Sequence, residues 1–396
     1  MNREHLTFLV VLLHRHCGQH CNLISRKYVI TSVTIKNIYD LDTPSLLVDL
    51  DQLERNIRDM ADLVANGARA LRPHIKTHKT AFIARMQMAA GASGLTVAKL
   101  GEAETLADAG FDNLFLANQL VGPLKVTRLL ELMERVQIRV AVDSMESATP
   151  IGIAANARYL KVPVVLEIDT GLGRAGVRSL GEALTLSRQI AEQPGLTLAG
   201  IFTHEGQLYR GINGVDPTVA SGVAQMMRTV AEAIRSQGVT CDLVSVGSTP
   251  GVPVLINEPG LTEMRPGVYV FNDRMQVSKG IARERCALTV LASVVSVRPD
   301  GTAIIDAGSK SMASDSPFED RTYGEILAHP ELTFRGISEE HGHLGFTGAP
   351  SLLVGEKVRV IPNHACTCVN LHDTMILHRG EHVEDVVPIE CRGKLK

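Results

Sequence analysis

Between Thr43 and Val246, short runs of apolar and β-branched residues alternate with longer stretches whose apolar residues recur at helical spacing. The short runs predict strands, and the longer stretches predict helices. Strands that alternate with helices of about ten to fifteen residues indicate parallel βαβ units. The predicted strands lie at residues 45–50, 70–71, 94–99, 113–118, 138–143, 162–169, 196–203 and 243–246, and the predicted helices at 52–64, 81–90, 101–109, 123–135, 180–192 and 217–237.

This alternation amounts to about eight βαβ units, which predicts a (β/α)8 barrel. A doubly wound sheet would show the same alternation. The number of strands and the position of the candidate chemistry at strand ends favour the barrel, and we place it at residues 41–272.

The pattern changes near Asn272, where β-branched runs follow one another without helices between them. These runs predict further strands at residues 287–297, 302–306, 357–362 and 374–378. The predicted fold class is therefore α/β, a (β/α)8 barrel with a C-terminal antiparallel β-domain at residues 273–396. Within that domain, the polar loop from Ser309 to Thr322 is a candidate for closing over a site.

Residues 1–40 precede this pattern, and we predict that they form a disordered extension. Their apolar segment, Leu6 to Leu13, is far shorter than the roughly 20 residues needed to span a bilayer. No small-residue cleavage site of a signal peptide follows it. The cysteines and histidines between His14 and Cys21 could also bind a metal, although no second ligand pair at finger spacing follows them.

The composition of the 396-residue chain is ordinary, with 45% hydrophobic and 21% charged residues. A net charge of -3, no tryptophan and 4% aromatic residues argue against a nucleic-acid-binding surface. Seven cysteines scattered through the chain do not indicate a disulfide framework. We therefore predict a cytoplasmic protein that binds small molecules and neither nucleic acid nor membranes.

The segment from Arg72 to Thr80 crowds lysines and histidines at the predicted end of a barrel strand. The carboxyl ends of barrel strands form the catalytic face. Burial and neighbouring cations would lower the pKa of Lys76, and its neutral amine could then act as a Schiff-base nucleophile. The alternative is a strand end with solvated lysines.

Two further stretches carry candidate chemistry. Gly247-Ser248-Thr249-Pro250-Gly251 follows the last predicted barrel strand, where barrels commonly bind a phosphate, and its hydroxyls and backbone N–H groups suit that ligand. The alternative there is a tight turn without a ligand. His364 and Cys366 are one residue apart, so in an extended segment both project from one face and suit zinc. The alternative is a buried cysteine beside a core histidine.

The sequence Arg-Pro-His-Ile-Lys-Thr-His-Lys at residues 72–79 resembles the pyridoxal-phosphate lysine motif of the D-threonine aldolase and D-serine dehydratase family, relatives of the alanine racemase barrel. The resemblance extends from Leu41 to the C-terminus. It implies that Lys76 carries pyridoxal 5'-phosphate, with Lys79 as the fallback.

The same resemblance implies further cofactor contacts. The stretch 167–177 is similar to the family's Asp-x-Gly-x-x-Arg-x-Gly signature, which places Arg174 beside the ring nitrogen or phenolic oxygen of the cofactor. Arg265 competes for the ring nitrogen, and a salt bridge to Asp169 is the alternative for Arg174. The remaining implied contacts are to the phosphate from Ser248, Thr249, Gly267 and Val268, and near the ring from His204 and Tyr209. A lone tyrosine is also typical of a packed surface residue.

The pair His364 and Cys366 matches the family's metal motif, in which histidine is joined by aspartate in some aldolases and by cysteine in D-serine dehydratases. Zinc is the expected metal, with manganese second. We regard Cys368 as a packing residue.

The resemblance implies a lyase that uses pyridoxal phosphate and a divalent metal on a D-3-hydroxy amino acid. The glycine-bearing turn and the His-x-Cys pair favour dehydration to a 2-oxo acid and ammonia. Retro-aldol cleavage to glycine and an aldehyde is the alternative, followed by an amino-acid racemase and a non-catalytic pyridoxal-phosphate protein. We also expect a homodimer.

Overall fold

The structure is a computed structural model that describes residues 36–210, 214–316, 321–348 and 352–396. Most of the predicted N-terminal extension, including its cysteine and histidine cluster, lies outside the described residues. Residues 36–40 lie against the C-terminal part of the chain, where the N–H of Ile38 donates to the carbonyl of Glu381 over 2.9 Å. No helix in the described ranges is long and apolar enough to cross a membrane.

The strands of the described chain are numbered in sequence order. They are β1 (Ser45–Asp49), β2 (Ala70–Leu71), β3 (Leu95–Val97), β4 (Asn113–Gln119), β5 (Gln137–Val142), β6 (Val162–Glu167), β7 (Leu196–Phe202), β8 (Leu243–Val246), β9 (Glu263–Met264), β10 (Leu288–Arg298), β11 (Thr302–Ile305), β12 (Gly324–Ile326), β13 (Thr333–Ile337), β14 (Gly342–Gly345), β15 (Lys357–Pro362), β16 (Thr374–Arg379) and β17 (His382–Pro388).

The helices are numbered in the same way. They are α1 (Leu50–Asn66), α2 (Ala81–Ala89), α3 (Leu100–Asp108), α4 (Pro123–Leu132), α5 (Met145–Asn156), α6 (Leu180–Glu192), α7 (Pro217–Ser236), α8 (Val252–Leu255), α9 (Arg274–Val277) and α10 (Ala365–Val369).

Strands β2 to β9 form one parallel sheet in the order β2-β9-β8-β7-β6-β5-β4-β3. Its two ends meet just beyond β2, where the N–H of Thr96 donates to Pro73 and the N–H of Ile75 donates to Thr96. The helices between these strands bury their apolar faces against the sheet in one continuous core. The predicted (β/α)8 barrel is therefore confirmed, with the carboxyl ends of its strands at one mouth.

One strand assignment from the sequence is wrong, and one barrel strand was missed. The run at 45–50 was predicted as a barrel strand, but β1 pairs antiparallel with β10 and parallel with β16 in the other sheet. In a sequence, a strand followed by a helix has the pattern of a βαβ unit. Only the pairing of the strand with distant residues decides to which sheet it belongs. The eighth barrel strand is instead β9, whose two residues are too short to give an apolar pattern.

Helices α5, α8, α9 and α10 and strands β12, β13, β14 and β17 were also not predicted. Helix α5 contains Pro150, a residue that in a sequence signals a helix end.

The second sheet has the order β13-β14-β11-β10-β1-β16-β17, with β15 pairing to both β10 and β12. All its pairs are antiparallel except β1 with β16. Its inner face packs against α1 and the stretch after β9 in a second core. This sheet brings α9 and α10 to the mouth of the barrel, where they close one side of a cavity.

Candidate active site

All the predicted site residues line one cavity of about 590 Å³ at the carboxyl ends of the barrel strands. The barrel supplies most of the wall, and α9 and α10 supply the rest. The predicted residues that line the cavity are Lys76, Arg174, His204, Tyr209, Ser248, Thr249, Gly267, Val268, His364 and Cys366. The structure therefore brings together positions that are nearly 300 residues apart in the chain, although their individual roles stay predictions.

The two lysines of the motif have different surroundings. Nζ of Lys79 is buried 2.6 Å from a carboxylate oxygen of Glu102, so its charge is already paired. Lys76 opens on the cavity, and its Nζ has no hydrogen bond or ion pair among the described residues. Burial lowers the pKa of Lys76, and Arg174 adds to this effect while Cys366 opposes it. The geometry favours Lys76 over Lys79 as the reactive amine.

The turn after β8 fits a phosphate group. Ser248 Oγ is buried and has no hydrogen-bond partner in the described part of the chain. Thr249 Oγ1 accepts the N–H of Tyr269 over 3.2 Å, which leaves its hydroxyl hydrogen free to donate. Across the turn, a Cβ on Gly267 would lie 3.1 Å from both His74 O and Thr77 Oγ1, so the glycine keeps this side open. An unpaired hydroxyl beside a second donor and an open backbone is a suitable cradle for a phosphate.

Arg174 points across the barrel mouth toward a carboxylate. Its Nη2 lies 3.5 Å from Glu167 Oε1 at the end of β6, while Asp169 pairs with Arg178. The alternative of a salt bridge between Arg174 and Asp169 is therefore wrong. Because the bond from Arg174 to Glu167 is long and about half of the arginine side chain is exposed, its guanidinium can still donate to a ligand.

Glu167 and Gln119 are cavity residues that the sequence analysis gave no role. Gln119 Nε2 donates to Glu167 Oε2 over 2.5 Å. Burial raises the pKa of Glu167, and its bond to Gln119 opposes that rise. Both residues stand at carboxyl ends of barrel strands, β6 and β4, and that position was the available signal for them.

Arg265 lies deeper in the barrel. Its guanidinium donates to Ser245 Oγ and, over 2.6 Å, to Thr203 O. It also stacks over the rings of Phe115 and Phe202, at 5.6 and 5.2 Å from their centroids. These contacts fix the guanidinium of Arg265 in the lining of the cavity.

His204 and Tyr209 both face the cavity. His204 Nδ1 lies 2.8 Å from Gly247 O, and because a carbonyl can only accept, Nδ1 carries the hydrogen. Burial and the charge of Lys76 lower the pKa of His204 to about 3, so the imidazole is neutral. Burial also raises the pKa of Tyr209 above its usual range. The alternative of Tyr209 as a packed surface residue is wrong, because its side chain lines the cavity.

His364 and Cys366 lie together at the other end of the cavity, but not in an extended segment. His364 caps α10 and Cys366 stands in its first turn, so the predicted local geometry is wrong because the helix begins at Ala365. Their side chains nevertheless line the same cavity. Cys366 Sγ also lies 3.1 Å from Thr77 Oγ1, beside the candidate lysine.

The surroundings of His364 fit a metal ligand. Asp315 Oδ2 lies 2.5 Å from His364 Nδ1, an arrangement that fixes the ring and directs Nε2 outward. No group of three or more histidine, cysteine, aspartate or glutamate side chains is placed to hold an ion within the described residues. The pair would thus supply two ligands and leave further positions to water or substrate. Cys368 is fully buried and bonds to Ser311 O, as expected of a packing residue.

Comparison with known proteins gives matches along most of the chain. Residues 48–275 match the family model described as alanine racemase, N-terminal domain, and residues 287–378 match the putative serine dehydratase domain. D-threonine aldolase from Arthrobacter sp. is 32% identical, covering 89% of this chain and 93% of its own. D-threo-3-hydroxyaspartate dehydratase from Delftia sp. is 36% identical, covering 82% and 91%.

Solved structures are similar over the same extent. D-threonine aldolase from Filomicrobium marinum superimposes with a TM-score of 0.85 at 31% identity, covering 91% of this chain and 99% of that one. The Delftia dehydratase superimposes with a TM-score of 0.82 at 32% identity, covering 89% and 99%. Two variants of that dehydratase have also been solved, in which a histidine or, two positions later, a cysteine is replaced by alanine, and the cysteine variant is in a metal-free form.

Proposed function

The chain belongs to the family of D-threonine aldolases and D-serine dehydratases, whose barrel is that of alanine racemase, and on that premise we propose that it dehydrates a D-3-hydroxy amino acid such as D-serine. The products would be a 2-oxo acid and ammonia. Enzymes of this family are pyridoxal-phosphate-dependent lyases.

Lys76 is the residue that we propose to attach the cofactor. Pyridoxal phosphate, when bound, acts as an electron sink for the bond that breaks at Cα of the substrate. Ser248 and Thr249 would hold its phosphate, Gly267 and Val268 would give it backbone access, and the neutral imidazole of His204 would lie beside it. Nζ of Lys76, whose pKa is lowered by burial, would accept the proton from Cα.

His364 and Cys366 are the residues that we propose to hold a divalent metal. Imidazole and thiolate suit zinc, which would supply Lewis acidity toward the β-hydroxyl of the substrate. Asp315 would keep the proton on His364 Nδ1 so that Nε2 is the ligand atom. The spacing of this pair matches that of the histidine and cysteine replaced in the Delftia dehydratase variants.

One observation carries the proposal. The 3.1 Å contact between Thr77 and Cys366 links the proposed metal pair to the residue next to Lys76, so both groups open on the same cavity. A group that removes the Cα proton and a group that activates the β-hydroxyl are what dehydration requires on adjacent carbons. Racemisation needs no metal pair, and a non-catalytic carrier needs neither group.

The test is product identification. Purified holo-protein is incubated with D-serine, D-threonine and D-3-hydroxyaspartate, and the products are assayed as 2-oxo acid plus ammonia or as glycine plus aldehyde. We expect 2-oxo acid and ammonia, and we expect a chelator to remove the activity. Turnover that resists the chelator in full would contradict the metal role, and formation of the L-enantiomer alone would indicate a racemase.

Retro-aldol cleavage is the second candidate, favoured by the likeness to D-threonine aldolase from Filomicrobium marinum. It would require a group that takes the β-hydroxyl proton in place of the Cα proton. Cys366→Asp offers a comparison between the two outcomes, because a carboxylate favours manganese over zinc. We expect this variant to need manganese for its residual activity. Glycine and aldehyde from D-threonine as the main products of the unmodified protein would favour the aldolase.

A further inference from the structure

Two residues that follow β7, His204 and Glu205, bond to the carbonyl and the N–H of Gly247. Gly247 is the first residue of the turn from Gly247 to Gly251, which we call the phosphate turn. The ring of His204 donates from Nδ1 to Gly247 O over 2.8 Å, and Glu205 Oε2 accepts the N–H of Gly247 over 2.9 Å. A Cβ on Gly247 would lie only 2.6 Å from Arg265 Cβ, so this residue is also fixed by the neighbouring strand. Two consecutive side chains therefore set the position of the turn that begins at Gly247.

The second oxygen of Glu205 is placed beside the hydroxyl of Ser248. The Glu205 side chain is fully buried, and neither its Oε1 nor Ser248 Oγ has a hydrogen-bond partner by distance and angle within the described chain. A Cβ built on Gly251 would lie 2.7 Å from Ser248 Oγ and 3.2 Å from Glu205 Oε1. Both atoms therefore lie beside Gly251, and Ser248 is near enough to Glu205 to affect its ionisation.

No cationic side chain is hydrogen-bonded to Glu205 among the described residues. Arg265 is the facing cation and its charge favours the ionised form, but its guanidinium donates to Ser245 and to Thr203 O and not to Glu205. The imidazole of His204 is neutral, and the phenol of Tyr209 stays protonated. Burial raises the pKa of Glu205, against the bond from Gly247. A carboxylate at this place would also repel a phosphate dianion on the other side of the turn.

We infer that Glu205 is a positioning residue for the phosphate turn, in which it acts as a neutral carboxylic acid. Its Oε2 accepts the N–H of Gly247, and its Oε1–H donates to Ser248 Oγ. The hydroxyl hydrogen of Ser248 is then directed at the phosphate of the cofactor. This inference rests on the proposed function, since it takes the phosphate to bind at Ser248 and Thr249.

The experiment compares Glu205→Gln with Glu205→Ala. A glutamine can accept from Gly247 and donate to Ser248 as the neutral acid does, so its dissociation constant for pyridoxal phosphate should stay within about threefold of the original protein. The alanine variant loses both bonds, and its dissociation constant should rise at least tenfold, on the order expected for a lost hydrogen bond to a charged group. Both are measured by the visible absorbance of the bound cofactor.

The dependence on pH gives a readout that a merely structural role would not change. As the pH rises through the raised pKa of Glu205, the carboxyl ionises and cofactor affinity should fall in the original protein. Glu205→Gln cannot ionise, so it should lack this fall and keep only the dependence that comes from the phosphate itself. In the infrared difference spectrum between the two proteins, the carbonyl band of a protonated carboxylic acid should be present for the original protein alone.

Equal weakening by glutamine and alanine, or the absence of that infrared band, would overturn the inference. The infrared result does not depend on whether Glu205→Ala folds. Ser248→Ala with Thr249→Ala, assayed in the same way, separates this failure from a failure of the proposed function. Unchanged cofactor affinity in that double variant would place the phosphate elsewhere, whereas weakened affinity with either negative result for Glu205 would overturn the inference alone.

Discussion

The two ends of the cavity are built in different ways. The proposed cofactor end consists of barrel strand ends, where Lys76 and the proposed phosphate turn follow β2 and β8 and are fixed by backbone bonds between neighbouring strands. The proposed metal end consists of side chains at the start of a five-residue helix and on a loop of the second sheet, where Asp273 and Asp315 hold them. The side chains of Thr77 and Cys366 are in contact between the two ends. Because the residues of the two ends stand on different elements, cofactor binding and metal binding should be separable by mutation.

The largest expected effect is at Lys76. Lys76→Ala removes the only cavity-facing amine of the motif, and we expect loss of detectable turnover together with loss of the visible absorbance of bound cofactor. The matched control is Lys79→Met, which breaks a buried pair with Glu102. That control should cost about 3–5 kcal/mol of stability in denaturant unfolding while keeping the absorbance. The opposite pattern would make Lys79 the attachment residue.

The next-largest effect is expected at Cys366, where a substitution should change metal binding and leave cofactor binding unchanged. Cys366→Ala should leave the cofactor absorbance unchanged, remove bound zinc and lower turnover by several orders of magnitude, because a Lewis acid is lost while the barrel end is untouched. Cys368→Ala is the control on the same helix, since Cys368 is buried and bonds to Ser311 O. It should lower the stability and keep the metal content measured by elemental analysis. Full chelator-insensitive activity in Cys366→Ala would leave the cavity without a metal role.

A smaller effect is expected at Asp315. Asp315→Asn weakens the acceptor for His364 Nδ1 without changing the size of the side chain, so metal affinity should fall by roughly 10- to 100-fold with cofactor affinity unchanged. A competitive chelator titration measures the first and absorbance the second. Asp169→Asn, whose partner is Arg178, is the control outside the metal end. Equal metal affinity in the two variants would show that Asp315 does not orient the ligand.

The smallest effect concerns the phosphate. Ser248→Ala combined with Thr249→Ala removes two hydroxyl donors, and we expect cofactor affinity to fall about tenfold or more with metal affinity unchanged. Ser187→Ala is the control, because Ser187 is equally buried but lies on α6 outside the cavity. A matching loss of metal affinity in the double variant would mean that the two ends are coupled after all.

Much of this architecture was predictable from the sequence. The alternation of strand and helix patterns predicted the barrel, because each βαβ unit is local in the chain. The lysine motif, the turn at Gly247 and the pair His364 and Cys366 are short contiguous motifs, and all of them line the cavity. Local patterns therefore gave the barrel and the candidate residues at both ends.

What could not be predicted depends on contacts between distant residues. The sheet to which β1 belongs is decided by pairing with β10 and β16. Arg174 pairs with Glu167, although Asp169 is closer to Arg174 in the sequence. The turn that follows β6 directs the two carboxylates differently, and Asp169 pairs with Arg178. Glu205 was given no role from the sequence, since burial and an unpaired oxygen are not visible in a sequence.

The pairing of β1 also has a consequence for protein synthesis. Its neighbour β10 begins about 240 residues later in the chain, and β16 later still. At about 5–20 residues per second, a ribosome needs roughly 10–50 s to deliver β10 after β1 has emerged. During that interval the apolar residues of β1 have no sheet to join, and an unpaired strand of this kind is a site for aggregation or chaperone binding. The nascent chain should thus be most vulnerable while the barrel is being made, and protected only once the last strands have left the ribosome.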